Sequence, residues 1–161
     1  MQQFCLIDQI LALEPGKSIQ AVKHLRAEED YLKDHFPLFP VMPGVLMLEA
    51  MYQTAAWLVR RSENFAHSAV LLKEARNIKY SDFVEPGHSL VVTAEILKQD
   101  AATTTLKAQA TVDDRVAVSG RLILERFQIS DRYPNRGRAV DSYNISQFRE
   151  DFLRLTGAKL S

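Results

Sequence analysis

Between Leu90 and Arg126, apolar and polar residues alternate with a period of two. Leu90, Val92, Ala94 and Ile96 form one such run, Leu106, Ala108, Ala110 and Val112 a second against Thr105, Lys107, Gln109 and Thr111, and Val116, Val118, Leu122 and Leu124 continue it. This is the pattern of antiparallel strands with one buried and one wet face. Asp113-Asp114 turns the chain before the last run, and Glu85-Pro86-Gly87-His88 breaks it ahead of the first. Ser68 to Ile78, with Val70, Leu71, Leu72 and Ile78, reads as a further strand. Near the start, Phe4 to Leu13 is mostly apolar, and Glu14-Pro15-Gly16-Lys17 places proline and glycine where a type II turn wants them. Ser18 to Arg26 then closes a hairpin.

The rhythm changes between these two groups. After a polar and aromatic connection from Ala27 to Asp34, Pro37, Pro40 and Pro43 each fix φ and push the residue before them towards an extended conformation, so His35 to Met42 is a stiff, kinked loop. Pro43 suits a first helical position, and from Gly44 to Val59 no further proline or glycine interrupts a run of good helix formers. That helix is apolar nearly all round, as expected of one enclosed by the rest of the chain. Arg60 and Arg61 close it, where cations suit its negative end.

These elements predict an α+β architecture. A strongly curved antiparallel sheet of about six strands wraps one long central helix, with two strands before it and four after. Residues 1–128 form that domain and residues 129–161 a C-terminal extension. Pro134, Gly137 and several arginines make the first half of the extension a loop, while Ile145, Phe148, Phe152 and Leu155 fall at the spacing of a short amphipathic helix expected on a partner subunit or over a substrate tunnel.

Composition narrows the function without choosing it. The 161 residues are 47% hydrophobic and 25% charged, with 20 basic against 20 acidic side chains, so no global charge argues for nucleic acid or an anionic membrane. The longest apolar run, Val41 to Val59, is interrupted by Pro43, Glu49 and Gln53, which excludes a membrane span there. Cys5 is the single cysteine; it reads as a small buried apolar residue in a reducing, cytoplasmic compartment, and the N-terminus does not read as a signal peptide. His24, His35, His67 and His88 lack ligand-like spacing and no glycine-rich phosphate loop is present, so neither a metal nor a nucleotide cofactor is signalled.

Glu49 is the one charged residue of the helix between Gly44 and Val59, with Gln53 four positions on and so on the same face. A buried carboxylate is costly, so Glu49 needs either a raised pKa or a partner, and a histidine held by the rigid loop is a candidate partner. The plain alternative for Gln53 is a side chain that ties down backbone.

His35-Phe36-Pro37, Pro40-Val41-Met42-Pro43-Gly44-Val45-Leu46, Glu49-Ala50 and Gln53 together resemble the signature of the hot-dog fold β-hydroxyacyl-[acyl carrier protein] dehydratases of the FabZ type. The likeness extends from about Phe4 to about Phe127 and includes the Val84-Glu85-Pro86-Gly87 turn. FabA-type dehydratase-isomerases are less similar, since they carry aspartate where this chain has Glu49. The resemblance implies a hot-dog fold and a homodimer or higher homo-oligomer such as a trimer of dimers, with the histidine of one subunit facing the glutamate of the other. Its substrate is a 3-hydroxyacyl thioester on acyl carrier protein, and no cofactor is needed beyond that carrier's phosphopantetheine arm. It further implies that His35 handles the α-proton and Glu49 the departing hydroxyl. The backbone N–H of Gly44, at the positive end of the helix, is then the natural donor to the thioester oxygen, with Gln53 a substrate-binding neighbour.

Some positions depart from that pattern. Asp34 replaces the usual glycine before the histidine, and Leu38 and Phe39 replace a small or polar pair. Arg121, Arg126, Arg132, Arg136 and Arg138 form a candidate basic landing for an acidic carrier. A hot-dog thioesterase and a non-catalytic acyl-binding partner protein are the competing readings.

Overall fold

The computed structural model describes residues 5–29, 32 and 41–157. The loop that carries His35, with Asp34, Leu38 and Phe39, lies outside the described residues. Strands β1 (Gln9–Glu14) and β2 (Ser18–His24) form the expected hairpin. Gly16 in its turn has a φ of 79°, the left-handed value that a type II turn demands. The central helix α1 (Gly44–Ser62) follows, then β3 (Ala69–Tyr80), β4 (Ser89–Gln99), β5 (Thr103–Val112) and β6 (Arg115–Phe127).

The strands form one sheet in the order β1-β2-β4-β5-β6-β3, with antiparallel pairing throughout. β4, β5 and β6 are the meander that the alternation predicts. Asp113 and Asp114, both at positive φ (50° and 64°), turn the chain from β5 into β6. β3 leaves sequential order: it enters at the far edge beside β6, because the chain crosses the sheet along α1 before returning to pair β4 with β2. Ala21, Leu90, Val92, Leu106, Leu122 and Leu124 line the inner face and are buried with Ala50, Met51, Ala55 and Leu58 of α1. Each larger side chain so enclosed contributes roughly 1.5–3 kcal/mol relative to exposure.

Beyond β6 the chain makes one helical turn, α2 (Ile129–Arg132), a 3-10 turn (Pro134–Arg136) and the helix α3 (Arg138–Thr156). The helix therefore starts well ahead of Ile145, and one of its faces packs on its own chain. Phe152 and Leu155 are buried, and Phe148 and Phe152 meet Trp57 of α1 at ring-centroid distances of 6.2 and 6.1 Å. Asp141 pins the near end of α3. Its carboxylate accepts from the Ser68 hydroxyl (2.6 Å) and from the Ser130 hydroxyl and N–H, and these bonds hold its pKa below the usual carboxylate value.

Cys5 corrects the expectation of burial. It is exposed, and its thiol donates to the Ile7 carbonyl (3.1 Å), while Leu6 and Ile7 take the buried places. Among the described residues, no helix is long and apolar enough to cross a membrane.

Candidate active site

Helix α1 begins at Pro43 without a side-chain cap and without an acidic residue in its first turn. The Leu46 N–H already donates to the Pro43 carbonyl (3.0 Å), and the N–H groups ahead of it stand at the positive end of the helix. The approach to the helix is fixed by the Met42 N–H, which donates to the Val84 carbonyl (2.9 Å) just ahead of β4. Gly44 packs under Tyr80 at the end of β3: a Cβ at Gly44 would stand 3.0 Å from the ring's Cε1. A Cβ there would have to move the half-exposed Tyr80 ring by a few tenths of an ångström, and the spacing of the prolines gave no hint of Tyr80.

Glu49 sits about one and a half turns into the helix, half-buried, and burial pushes its pKa above the usual carboxylate value. Of the two remedies the sequence allows a lone acid, the raised pKa is present. Among the described residues none supplies a cation to its carboxylate. Gln53, on the same face, accepts the Leu6 N–H through Oε1 (2.8 Å) and so holds the segment before β1 against the helix. Around this end of the helix lies an exposed apolar rim. Val45 is 68% exposed, Phe83 60% and Tyr80 49%.

The remaining chemistry-bearing groups are dispersed. His24 bonds Ser89 (2.6 Å) next to His88, which faces Asp113 (3.0 Å), whereas His67 bonds Glu63 beyond the C-terminal end of α1. Among the described residues no group of three or more His, Cys, Asp or Glu side chains is placed to hold a metal ion. Two arginines of the candidate basic landing are already engaged: Arg126 donates to the Asp100 and Thr103 carbonyls, and Arg132 forms a two-pronged pair with Glu125 at 3.1 Å.

Residues 1–121 match the family model described as the FabA-like domain. The chain belongs to this family. The 3-hydroxyacyl-[acyl-carrier-protein] dehydratase FabZ of Ruminiclostridium cellulolyticum is 38% identical over 119 residues, which cover 74% of this chain and 84% of the relative. The FabZ of Ralstonia nicotianae is 41% identical over 124 residues, covering 73% of this chain and 74% of that one. At this level the chain groups with the FabZ-type dehydratases of the FabA-like family. The dehydratase heterocomplex ApeI:P from Xenorhabdus doucetiae superimposes with a TM-score of 0.65 at 17% identity, covering 83% of this chain and 90% of that one. A hypothetical thioesterase with coenzyme A from Streptococcus pneumoniae gives 0.57 at 13% identity, covering 73% and 86%. Both likenesses establish the hot-dog fold alone. Helix α3 lies beyond the residues matched by the family model.

Proposed function

We propose that the chain dehydrates a (3R)-3-hydroxyacyl thioester carried on acyl carrier protein, giving the trans-2-enoyl thioester, as a step of fatty-acid or related lipid biosynthesis. FabZ relatives above 30% identity support this activity, whereas the thioesterase neighbour shares only the fold. In the mechanism, His35 removes the α-proton and Glu49, protonated, delivers its proton to the β-hydroxyl. The Cβ–O bond breaks, water leaves and the Cα–Cβ double bond forms. The charge that builds on the thioester oxygen meets the Gly44 N–H at the head of α1.

The observation that carries this reading is Glu49: a half-buried carboxylate with a raised pKa, just inside an uncapped helix end. A general acid has to hold a proton near neutral pH, and burial is the means by which proteins arrange it. Gln53, fixed by Leu6, borders the substrate on the same helix face.

The site is completed by a second copy of the chain. Beyond Val70, β3 is an exposed edge strand bearing Leu71 and Tyr80, continuous through Tyr80 with the apolar rim at the helix start. Such an edge is ordinarily covered. A homodimer that covers it brings His35 of one protomer to Glu49 of the other, and trimers of such dimers are compatible with it. The protein acts in the cytoplasm, uses no cofactor of its own beyond the carrier's phosphopantetheine, and is organised as a hot-dog domain over residues 1–128 with an extension over 129–161.

The test follows enoyl absorbance with 3-hydroxybutyryl carrier protein. His35→Ala and Glu49→Gln should each lower turnover by about 100-fold or more while the protein stays folded. Near-normal turnover in either variant, or thiol release without enoyl formation in the wild type, overturns the assignment.

A further inference from the structure

Arg60 lies near the C-terminal end of α1, yet its side chain does not run out to solvent along the helix end. Its guanidinium carbon lies 4.7 Å from the centre of the Trp57 ring and 4.0 Å from that of Phe148, a residue of α3. Its Nε is enclosed and, among the described residues, has no hydrogen-bond partner. Dehydration lowers its pKa to about 10, which leaves it a cation at neutral pH. The charge is answered by Asp151 of α3, by Glu63 and by the Tyr52 hydroxyl, which lies within hydrogen-bonding reach of the guanidinium.

Tyr52 is thereby held at both ends of its hydroxyl. It donates to the Val70 carbonyl of β3 (2.5 Å) while the guanidinium approaches its oxygen. Swinging the ring away would strand a buried carbonyl and remove an acceptor from a cation that already has an unpartnered nitrogen. Tyr52 also stands three residues after Glu49, on the same face of α1, close enough for the two groups to interact electrostatically. The ring is only partly buried, like Glu49 itself.

We propose that Tyr52 is a specificity-determining residue whose fixed ring bounds the acyl chain of the substrate beside Glu49, and that Arg60, clamped by Phe148 of the C-terminal helix, holds it there. This rests on the dehydratase reading of Glu49. Helix α3, outside the family model's match, is on this view part of the apparatus that selects the acyl chain, acting through Phe148, Arg60 and Tyr52 in turn. Arg60 and Phe148 are positioning residues; Tyr52 is the one that meets substrate.

The experiment measures kcat/KM on 3-hydroxybutyryl, 3-hydroxyoctanoyl and 3-hydroxydodecanoyl carrier protein for the full chain and for Tyr52→Ala, Tyr52→Phe and Phe148→Leu. Folding is checked by circular dichroism and gel filtration. Tyr52→Ala should shift the ratio of long-chain to short-chain turnover about tenfold or more towards the long substrates, the size of effect that a methylene or two carries in an apolar pocket. Phe148→Leu should move it the same way by less, although it lies outside the site. An unchanged length profile in folded Tyr52→Ala overturns the proposal. If that variant does not fold, an unchanged profile in both Tyr52→Phe and Phe148→Leu overturns it equally. A wild type that makes no enoyl product at any length refutes the dehydratase reading itself, which the wild-type control decides separately from the variants.

Discussion

The two ends of α1 are built on opposite principles. At its start the helix is uncapped, Val45 stands exposed, Glu49 is half-buried at an energetic cost, and an apolar rim surrounds it. At its far end Ala55, Ala56, Trp57, Leu58 and Val59 are all buried, and α3 seals them with Phe148, Phe152 and Leu155. One end carries unsatisfied groups whose value lies in what they do to a ligand. The other is closely packed, and among the described residues its only enclosed side-chain atoms without a hydrogen-bond partner are the Arg60 Nε and the Glu63 Oε1. Stability and reactivity are thus separated along one helix, with Tyr52 and Arg60 as the link.

The separation can be broken from the sealed end. Phe152→Ala removes a ring that touches both Trp57 and Phe65 and should cost about 3–5 kcal/mol in chemical denaturation. Turnover of the shortest substrate per folded molecule should hold. Loss of that turnover in a folded variant would mean that the two ends are not separate.

At the open end the signs reverse. Glu49→Gln, besides losing turnover, should raise the melting temperature at neutral pH. The folded-state pKa of Glu49 lies above its unfolded value, so the stability its protonation gives is fully present below the unfolded pKa and is lost as pH rises through the folded one. By the same sign, wild-type turnover should fall as pH climbs through that raised pKa. A Gln variant less stable than wild type would show that Glu49 is structural.

Gly44→Ala should have a smaller effect. The new methyl meets the ring edge of Tyr80 at 3.0 Å, but that ring is half-exposed and can shift, while alanine is the better helix former by about 1 kcal/mol. Stability should therefore change little while kcat/KM drops several-fold, measured with the butyryl substrate. Unaltered kinetics would reduce Gly44 to a packing residue.

The smallest effect belongs to Asp141→Asn. The native carboxylate is held below its usual pKa by Ser130 and Ser68, so its contribution is present above the unfolded pKa and lost as pH falls through the folded one. The variant should be slightly less stable at neutral pH and lose that difference in acid. A difference that persists in acid would rule out the charge as its source.

Much of this was legible in the residues. Alternation from Leu90 to Leu124 and the proline-to-helix switch at Pro43 are local signals, and they gave the strands and the helix. The place of β3 beside β6 was not legible, because strand order depends on where the chain returns after crossing the sheet. Cys5 was misread because its neighbours Leu6 and Ile7 fill the core and leave the thiol outside. Glu49 stood out as the lone charge of an apolar helix. No local signal marks Tyr52, and Arg60 reads as an ordinary charge at a helix end, because only tertiary structure brings Val70 beside Tyr52 and Phe148 over Arg60.

Trp57 is the single tryptophan of the chain, and it lies where α3 lands, against Phe148, Phe152 and the Arg60 cation. Its intrinsic fluorescence is consequently a built-in gauge of whether the C-terminal helix is seated. Detachment of that helix should be visible as a change in emission without any label, and in real time during turnover.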